Sequence, residues 1–469
     1  MSTLECTYIG HQSWTISTAC TTILVDPVLT DSFGFRDDLR FTIYPPRTVA
    51  HAAMPKSDAV VITNEHLDHF HPPSLQLLDT NTPVIVPLIC PAVVTDWLAT
   101  HGFPVVALPQ GAIHHIGDIQ IALFGVADRS PLWEHRVHSA MFTTVEDPGV
   151  LIQSDGEIDY SAIASAGMTP RVLIATNNAQ IPVQPGNGAF ANIIENSLQT
   201  STEGLRIVRA VVDVPASELG SVRQILLSGA GYTYDDPDAP PLFRLSDSNE
   251  LADIVSCLSL GVELIGLAPG EQAGADGAVG TADWIIAGQP NHGHGGEGHE
   301  EPWSRSPRPR HINGGTASLE RIGELILDEL RCLEPILINS KLGQTMVSAN
   351  TYLGNDVDST RLYLHLRGGD DDFIGVGFDL AAGRFESSAA TLRDAIMTIP
   401  FGLDVYADDF LDVLHGRRQI WEVCTASAAQ WFDGPRDTSP VAFLYEALSE
   451  QVRPDLAREL IRQFDGPAS

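Results

Sequence analysis

Basic residues are scarce in this sequence: 27 lysines and arginines stand against 60 aspartates and glutamates, which gives a formal net charge of −33. A field of this sign repels phosphate backbones and anionic lipid head groups. We therefore expect no nucleic-acid partner and no membrane partner, and a small molecule is the expected substrate.

Paired cysteines are also absent, because none of the six cysteines lies in a CxxC spacing. This excludes a zinc knuckle and a dithiol redox motif. The first residues, MSTLECTYIGHQSW, lack the basic and apolar regions of a signal peptide. No apolar run approaches the roughly 20 residues that a membrane span needs. These absences together predict a reducing, cytoplasmic location.

Two catalytic patterns are missing as well. No GxSxG sequence follows a predicted strand, which argues against a serine hydrolase with a nucleophile elbow. No CxH…CxxH pattern is present, so an iron–sulfur centre of the Rieske type is not expected. Any catalytic activity therefore depends on other side chains.

The chain has 469 residues, which is more than one hydrophobic core usually serves. Residues 1–275 alternate short apolar runs with turns and helical segments, which predicts an α/β layered domain. Residues 276–315 are rich in Gly, His and Pro and indicate a linker or long surface loop. Residues 316–469 predict a smaller α+β domain. Strands are predicted at 21–25, 59–63, 83–87, 119–123, 141–145, 149–153, 172–175, 262–267, 361–366 and 373–378, and helices at 91–100, 246–260, 317–332 and 454–464.

The stretch NEHLDHFH, residues 64–71, concentrates metal-ligand types at the end of a predicted buried strand. His66 and His69 offer imidazole, and Asp68 offers a carboxylate. Two imidazoles and one carboxylate suit Zn²⁺ or non-haem Fe(II). Loops at strand ends are also where α/β proteins place their chemistry. A polar loop whose histidines only form hydrogen bonds is the alternative, but the density of ligand types favours a metal site.

Residues 63–69 resemble the HxHxDH signature of the metallo-β-lactamase superfamily. Residues 8–11 (YIGH) and 23–27 (ILVDP) resemble the opening strands of its lactonase-like branch, and residues 150–156 (VLIQSDG) resemble the strand that ends in the metal-bridging aspartate. The resemblance extends over about residues 5–275. It implies an αββα sandwich with two metal ions at its edge.

The resemblance also implies a ligand set. His66 would bind the first ion, Asp68 and His69 the second, and Asp155 would bridge the two. Asp68 or Asp155 would also orient the attacking water or take a proton from it. A further histidine ligand is expected before the strand that ends at Asp155. His135 and His138 are both available, and the spacing does not choose between them.

This sequence departs from the family pattern at two positions. Asn64 stands where the family has histidine, and an amide oxygen is a much poorer ligand for Zn²⁺ or Fe(II) than imidazole. We therefore expect the first metal position to be weakened, empty or selective for a different ion, and the second to be retained. The last histidine of the family falls after the predicted strand at 262–267, where this sequence has Glu271. Glu271 could substitute as a ligand, or the position could be unused. A site richer in carboxylates shifts preference toward iron or manganese.

We predict from these residues a hydrolase that acts on a small molecule through metal-bound hydroxide, with zinc or iron as cofactor and one or two ions bound. A non-haem iron, O₂-dependent oxygenase is the alternative, because residues 410–422 loosely resemble the end of sialic-acid hydroxylases. The same stretch also reads as an amphipathic helix, a turn at Gly416 and a packed Trp421. A non-catalytic descendant is disfavoured, since folding alone does not require these ligand-type residues together. His292, His294 and His299 fit a solvated linker better than a metal site. The sequence leaves a homo-oligomer open.

Overall fold

The computed structural model describes residues 3–36, 39–43, 45–127, 135–147, 149–176, 214–228, 232–234, 262–274, 277–288, 319–352, 359–368, 372–426 and 428–463. They belong to two compact units, the first drawn mainly from residues 1–296 and the second mainly from residues 297–469. The domain boundaries given above remain predictions. No helix in the described ranges is both long enough and apolar enough to cross a bilayer.

The first unit is a mixture of strands and short helices. Its described strands are β1 (Glu5–Gly10), β2 (Ser13–Ser17), β3 (Thr22–Val25), β4 (Ser32–Arg36), β5 (Leu39–Ile43), β6 (Arg47–Val49), β7 (Ala59–Val61), β8 (Val84–Pro87), β9 (Val105–Leu108), β10 (His114–Ile116), β11 (Ile119–Gly125), β12 (His138–Thr143), β13 (Val150–Ile152), β14 (Val172–Thr176), β15 (Gln224–Ser228), β16 (Tyr232–Tyr234), β17 (Glu263–Ile265), β18 (Glu271–Gly274), β19 (Gly277–Thr281) and β20 (Ile285–Ala287). Its described helices are α1 (Pro72–Leu75), α2 (Ala92–Thr100), α3 (Tyr160–Ser165) and α4 (Val214–Leu219).

Two sheets form the centre of this unit. Among the described strands, one sheet has the order β19-β18-β1-β2-β3-β7-β8-β9 and the other has the order β10-β11-β12-β13-β14-β15-β17. Their facing side chains share one core, in which Ile23 and Val61 of the first sheet meet Leu123 and Ile152 of the second. The other face of the second sheet is covered by residues of α3 and α4, including Ile163 and Leu219. The predicted αββα layering is confirmed.

Parallel pairing places three strand ends close together. β3 runs parallel to β7, with Val25 opposite Val61, and β13 runs parallel to β14 in the other sheet. Such strands are buried on both faces, which explains their continuous apolar sequences. The polar residues that follow β3, β7 and β13 meet at one edge of the sandwich, because the Thr63 hydroxyl lies 2.6 Å from Oδ2 of Asp26 and 2.7 Å from the Ser154 hydroxyl.

Residues 277–288 are the described part of the segment predicted as a linker. Its first part is sheet: β19 pairs with β18, and β20 pairs with β6. The linker prediction for residues 277–287 is therefore wrong, because β19 forms a hairpin with the adjacent β18 and β20 pairs with the distant β6, and both pairings override a local composition rich in glycine. His292, His294, His299 and the helix predicted at 246–260 lie outside the described residues.

The second unit contains a five-stranded sheet among its described residues, in the order β23-β22-β21-β24-β25. The strands are β21 (Thr360–Arg367), β22 (Phe373–Asp379), β23 (Arg384–Ser388), β24 (Phe401–Tyr406) and β25 (Ala429–Phe432). The described helices are α5 (Leu319–Asn339), α6 (Lys341–Tyr352), α7 (Leu392–Thr398), α8 (Ala407–Leu414), α9 (Ile420–Ala426), α10 (Pro440–Ala447) and α11 (Pro454–Arg462). The α+β prediction is confirmed. Residues 410–422 follow the plain interpretation, with α8, a turn at Gly416 (φ 71°) and a buried Trp421.

Candidate metal site

The loop after β7 and the loop after β13 bring three predicted ligands together. Ligand atoms of His66, Asp68 and Asp155 all lie within 4.8 Å of one another. Asp68 is buried, and the side chains of His66 and Asp155 are each 15% exposed. A pair of carboxylates and an imidazole at this separation is a donor set that a divalent cation can bridge.

His69 lies next to this group and contacts its two carboxylates. Its Nε2 lies 2.8 Å from Oδ2 of Asp155 and 3.7 Å from Oδ2 of Asp68. Its Nδ1 lies 2.8 Å from Oδ2 of Asp26, which also accepts a hydrogen bond from the Thr63 hydroxyl at 2.6 Å. A carboxylate behind a metal-binding histidine fixes the ring and its tautomer. Asp26 thus orients His69 Nε2 toward the other predicted ligands.

The tight turn between β1 and β2 contributes two more contacts. His11 Nε2 lies 2.8 Å from Oδ2 of Asp68, and Gln12 Nε2 donates to Oδ1 of Asp155 at 3.2 Å. The His11 ring also stacks on Phe33, with centroids 5.6 Å apart. One hairpin turn therefore holds both carboxylates of the cluster.

Backbone strain coincides with these contacts. Among the described non-glycine residues, positive φ angles occur at His11 (52°) and Asp26 (44°). Each such conformation costs about 1–3 kcal/mol and persists where the surroundings determine it. Both residues touch a predicted ligand, so the strain lies in the residues that position the site.

The electrostatics of the cluster are dominated by negative charge. Burial alone would lower the pKa of His69, but the carboxylates of Asp155, Asp68 and Asp26 outweigh burial and hold that pKa well above 6.5. Burial alone would raise the pKa of Asp155, but His69 and His66 hold it far below its usual range. The pKa of Asp68 is lowered in the same way, against burial, by His69 and His11. The positive charge of protonated His69 therefore offsets part of the negative charge of the carboxylates. A divalent metal cation at the same place would offset more of it.

Both ends of the Asn64 side-chain amide form hydrogen bonds with neighbouring residues. Its Oδ1 accepts the backbone N–H of His66 at 2.8 Å, and its Nδ2 donates to the Ser154 hydroxyl at 3.1 Å. The side chain is buried and shapes the loop, as asparagine commonly does in turns. These hydrogen bonds give Asn64 a structural role at a position where its amide would be a poor metal ligand.

The remaining predicted ligands are not members of the group formed by His66, Asp68 and Asp155, although the backbone N–H of His138 donates to the carbonyl of Thr63 at 3.1 Å. His135 lies in a turn ahead of β12, and His138 begins that strand, with its Nδ1 3.1 Å from the carbonyl of Arg136. Burial lowers the pKa of His138, which keeps its ring neutral. Glu271 begins β18, and its Oε2 accepts the N–H of Ala268 at 2.7 Å. These contacts bring none of the three into the group formed by His66, Asp68 and Asp155, and their assignment as ligands stays a prediction.

His11, Asp26, Thr63 and Gln12 belong to the site but were not predicted to do so. The sequence does contain an indication for Asp26: like the NEHLDHFH stretch, Asp26 comes directly after a buried strand. The sequence does not state that β3 and β7 are parallel neighbours, and this pairing brings Asp26 to Thr63. Gly10 signals the turn that carries His11, but not which carboxylate that turn will reach.

Comparison with known proteins gives one family match and several similar solved structures. Residues 5–162 match the family model described as a beta-lactamase superfamily domain. The chain is similar to Igni18, a metallo hydrolase from Ignicoccus hospitalis, at 16% identity, covering 58% of this chain and 98% of that chain with a TM-score of 0.37. It is similar to an isothiocyanate hydrolase from Delia radicum gut bacteria at 16% identity, covering 57% and 98%, with a TM-score of 0.38. It is similar to CmlA, a diiron beta-hydroxylase from Streptomyces venezuelae, at 18% identity, covering 58% and 53%, with a TM-score of 0.35. No curated protein matches.

Proposed function

We propose that this chain is a metal-dependent hydrolase that acts on a small molecule, because residues 5–162 match the family model of a beta-lactamase superfamily domain. The observation that carries the proposal is the approach of His66, Asp68 and Asp155 to within 4.8 Å of one another. His69 adjoins them and is held by Asp26 at 2.8 Å. Members of this superfamily are generally metal-dependent enzymes.

The residues present fit a divalent cation. Two imidazoles and two carboxylates offer the nitrogen and oxygen ligands that zinc and iron accept. The low pKa values of Asp68 and Asp155 keep both carboxylates ionised, as ligation requires. His66, Asp68, His69 and Asp155 would hold the ion, and Asn64 would contribute little.

A bound ion would act as a Lewis acid and lower the pKa of a water molecule to near neutrality. The protein residues would then orient that water and receive its proton. Asp68 is aligned for this role because His11 fixes its Oδ2 at 2.8 Å. Asp155 is aligned from the other side by Gln12 at 3.2 Å.

An O₂-dependent iron oxygenase is the second candidate. The observation that favours it is the ligand set itself, since two histidines with carboxylates are also typical of non-haem Fe(II) sites. The engaged amide of Asn64 removes one imidazole from the family pattern and makes the site richer in oxygen ligands. Metal identity therefore separates the two candidates.

The experiment is metal analysis of the full-length protein purified without added metal, together with its visible spectrum and activity assays. Zinc, no colour and turnover of small ester or lactone substrates would support the hydrolase. Iron with substrate-dependent O₂ uptake would replace it by the oxygenase. A folded protein that takes up neither ion, even when each is supplied, would rule out both.

Metal binding is expected to release a proton and to weaken as the pH falls. His69 has a raised pKa in the metal-free fold, so at neutral pH its Nε2 carries a proton that a metal must displace. The stabilisation from protonated His69 is fully present below its unfolded pKa of about 6.5 and is lost as the pH rises through the higher folded pKa. Affinity should therefore rise with pH up to that folded pKa. Calorimetric titration in two buffers of different ionisation enthalpy measures the proton count, and affinity that stays flat between about pH 6 and about pH 8 would contradict the prediction.

A further inference from the structure

Arg47 is a buried cation that the proposed chemistry does not use. Its side chain is fully buried, and it begins β6, opposite Ala287 of β20. Its Nε donates to the carbonyl of Ile9 at 3.0 Å, and its Nη2 donates to the carbonyl of Val28 at 2.6 Å. One guanidinium therefore joins two segments that are distant in the sequence.

Both segments lead to residues of the candidate metal site. Ile9 lies two residues before His11, which contacts Asp68, and Val28 lies two residues after Asp26, which contacts His69. His11 and Asp26 are the described non-glycine residues with positive φ. Arg47 thus holds the chain next to each strained residue that supports a ligand.

The approach of Arg47 depends on a glycine. A Cβ added at Gly10 would lie 2.8 Å from Nε and 2.9 Å from Cδ of Arg47, and Gly10 has a φ of 134°. Ser13 makes a second link between the same segments, because its hydroxyl donates to the carbonyl of Asp26 at 2.7 Å and accepts the N–H of Val28 at 2.9 Å. The turn and the Asp26 loop are therefore connected at two points.

We propose that Arg47 is a positioning residue for the metal site: it locks the β1–β2 turn to the loop after β3, so that His11 and Asp26 hold Asp68 and His69 in ligating geometry. Arginine suits this task because its planar guanidinium donates in two fixed directions, whereas a lysine ammonium is a single point. The inference rests on the proposed metal-dependent function. It adds a residue that is not a ligand and does not contact one in the hydrogen bonds described above.

The test is titration of the full-length protein with Co²⁺, which reports affinity and, through its visible absorption, ligand geometry. Arg47→Met is expected to lower Co²⁺ affinity by about tenfold, the lower end of the range for residues that contact a ligand directly, because Arg47 acts through His11 and Asp26, and to change the spectrum. Arg47→Lys should lie between Arg47→Met and the wild type in both measurements. If Arg47→Met does not fold, the decision rests on Arg47→Lys, whose affinity should still fall measurably.

The matched control is Arg418→Met in the second unit. Arg418 is equally buried, and its Nε lies 3.5 Å from Asp409 and 3.6 Å from Asp412. Loss of this arginine should lower thermal stability but leave Co²⁺ affinity and spectrum unchanged. Wild-type affinity and spectrum in folded Arg47 variants would overturn the inference, as would an equal loss of affinity in Arg418→Met. A wild-type protein that binds no Co²⁺ would instead count against the proposed metal site itself.

Discussion

Asp155→Asn should lower metal affinity by at least about a hundredfold, beyond the range typical of outer-shell partners, while the fold is kept. Asp155 Oδ2 lies 2.8 Å from His69 Nε2 and 3.7 Å from His66 Nδ1, so this carboxylate is shared by both histidines. Asparagine keeps the shape but replaces an anionic oxygen by a weakly ligating amide. Competition with a chromophoric chelator measures the affinity, and circular dichroism checks the fold.

Asp147→Asn is the matched control for this change. Asp147 is also a buried aspartate of the first unit, and its carboxylate accepts the N–H groups of Leu4 at 3.1 Å and Gly149 at 2.9 Å. Its replacement should cost about 1–3 kcal/mol of stability through weakened buried hydrogen bonds, with no change in metal affinity. Normal affinity in Asp155→Asn would remove Asp155 from the ligand set. An equal loss in both variants would show a general effect of unfolding.

The local part of the site could be predicted from the sequence. His66, Asp68 and His69 lie within one short loop, so their proximity follows from chain connectivity, and the apolar run before them identifies the strand they follow. Asp155 lies in the loop after β13 of the other sheet and was predicted through the family resemblance. The structure brings it to the same edge because β13 and β7 end there.

The supporting residues could not be predicted because they depend on sheet order. Asp26 reaches His69 only because β3 lies beside β7 in parallel register, and His11 reaches Asp68 only because the β1–β2 turn projects over that edge. Strand pairing across such separations is decided by the whole core, not by local sequence. The same limit produced the error at residues 277–287, where β20 pairs with β6 and so supports the strand that carries Arg47.

The Asn64 amide has a structural role that the sequence motif does not reveal. The sequence indicates only that a ligand is replaced. The structure shows both ends of the Asn64 amide engaged, with His66 N–H and with Ser154. The substitution therefore serves the geometry of the loop that presents His66 and Asp68, and the ligand group assembles without it.

Asp26→Asn is expected to lower metal affinity by about 10- to 100-fold without displacing the backbone. Asparagine tolerates positive φ better than most residues, so the conformation of 44° at this position is kept. The carboxylate now accepts Thr63 N–H at 2.8 Å and faces His69 Nδ1 at 2.8 Å. An amide there can instead donate to Nδ1, so that His69 loses its Nδ1 proton and keeps the proton on Nε2, the nitrogen that faces the cluster.

Nitrogen NMR of the metal-free protein reports this tautomer directly, and chelator competition reports the affinity. Asp118→Asn is the control, because Asp118 also accepts two threonine hydroxyls, from Thr18 at 2.8 Å and Thr21 at 2.7 Å, but contacts no predicted ligand in the hydrogen bonds described. It should leave both readouts unchanged. If Asp26→Asn shifts the tautomer and affinity together, Asp26 acts through His69. A shifted tautomer with unchanged affinity would mean that His69 is not a ligand, and the site would then reduce to His66, Asp68 and Asp155. If neither readout changes, Asp26 does not position His69.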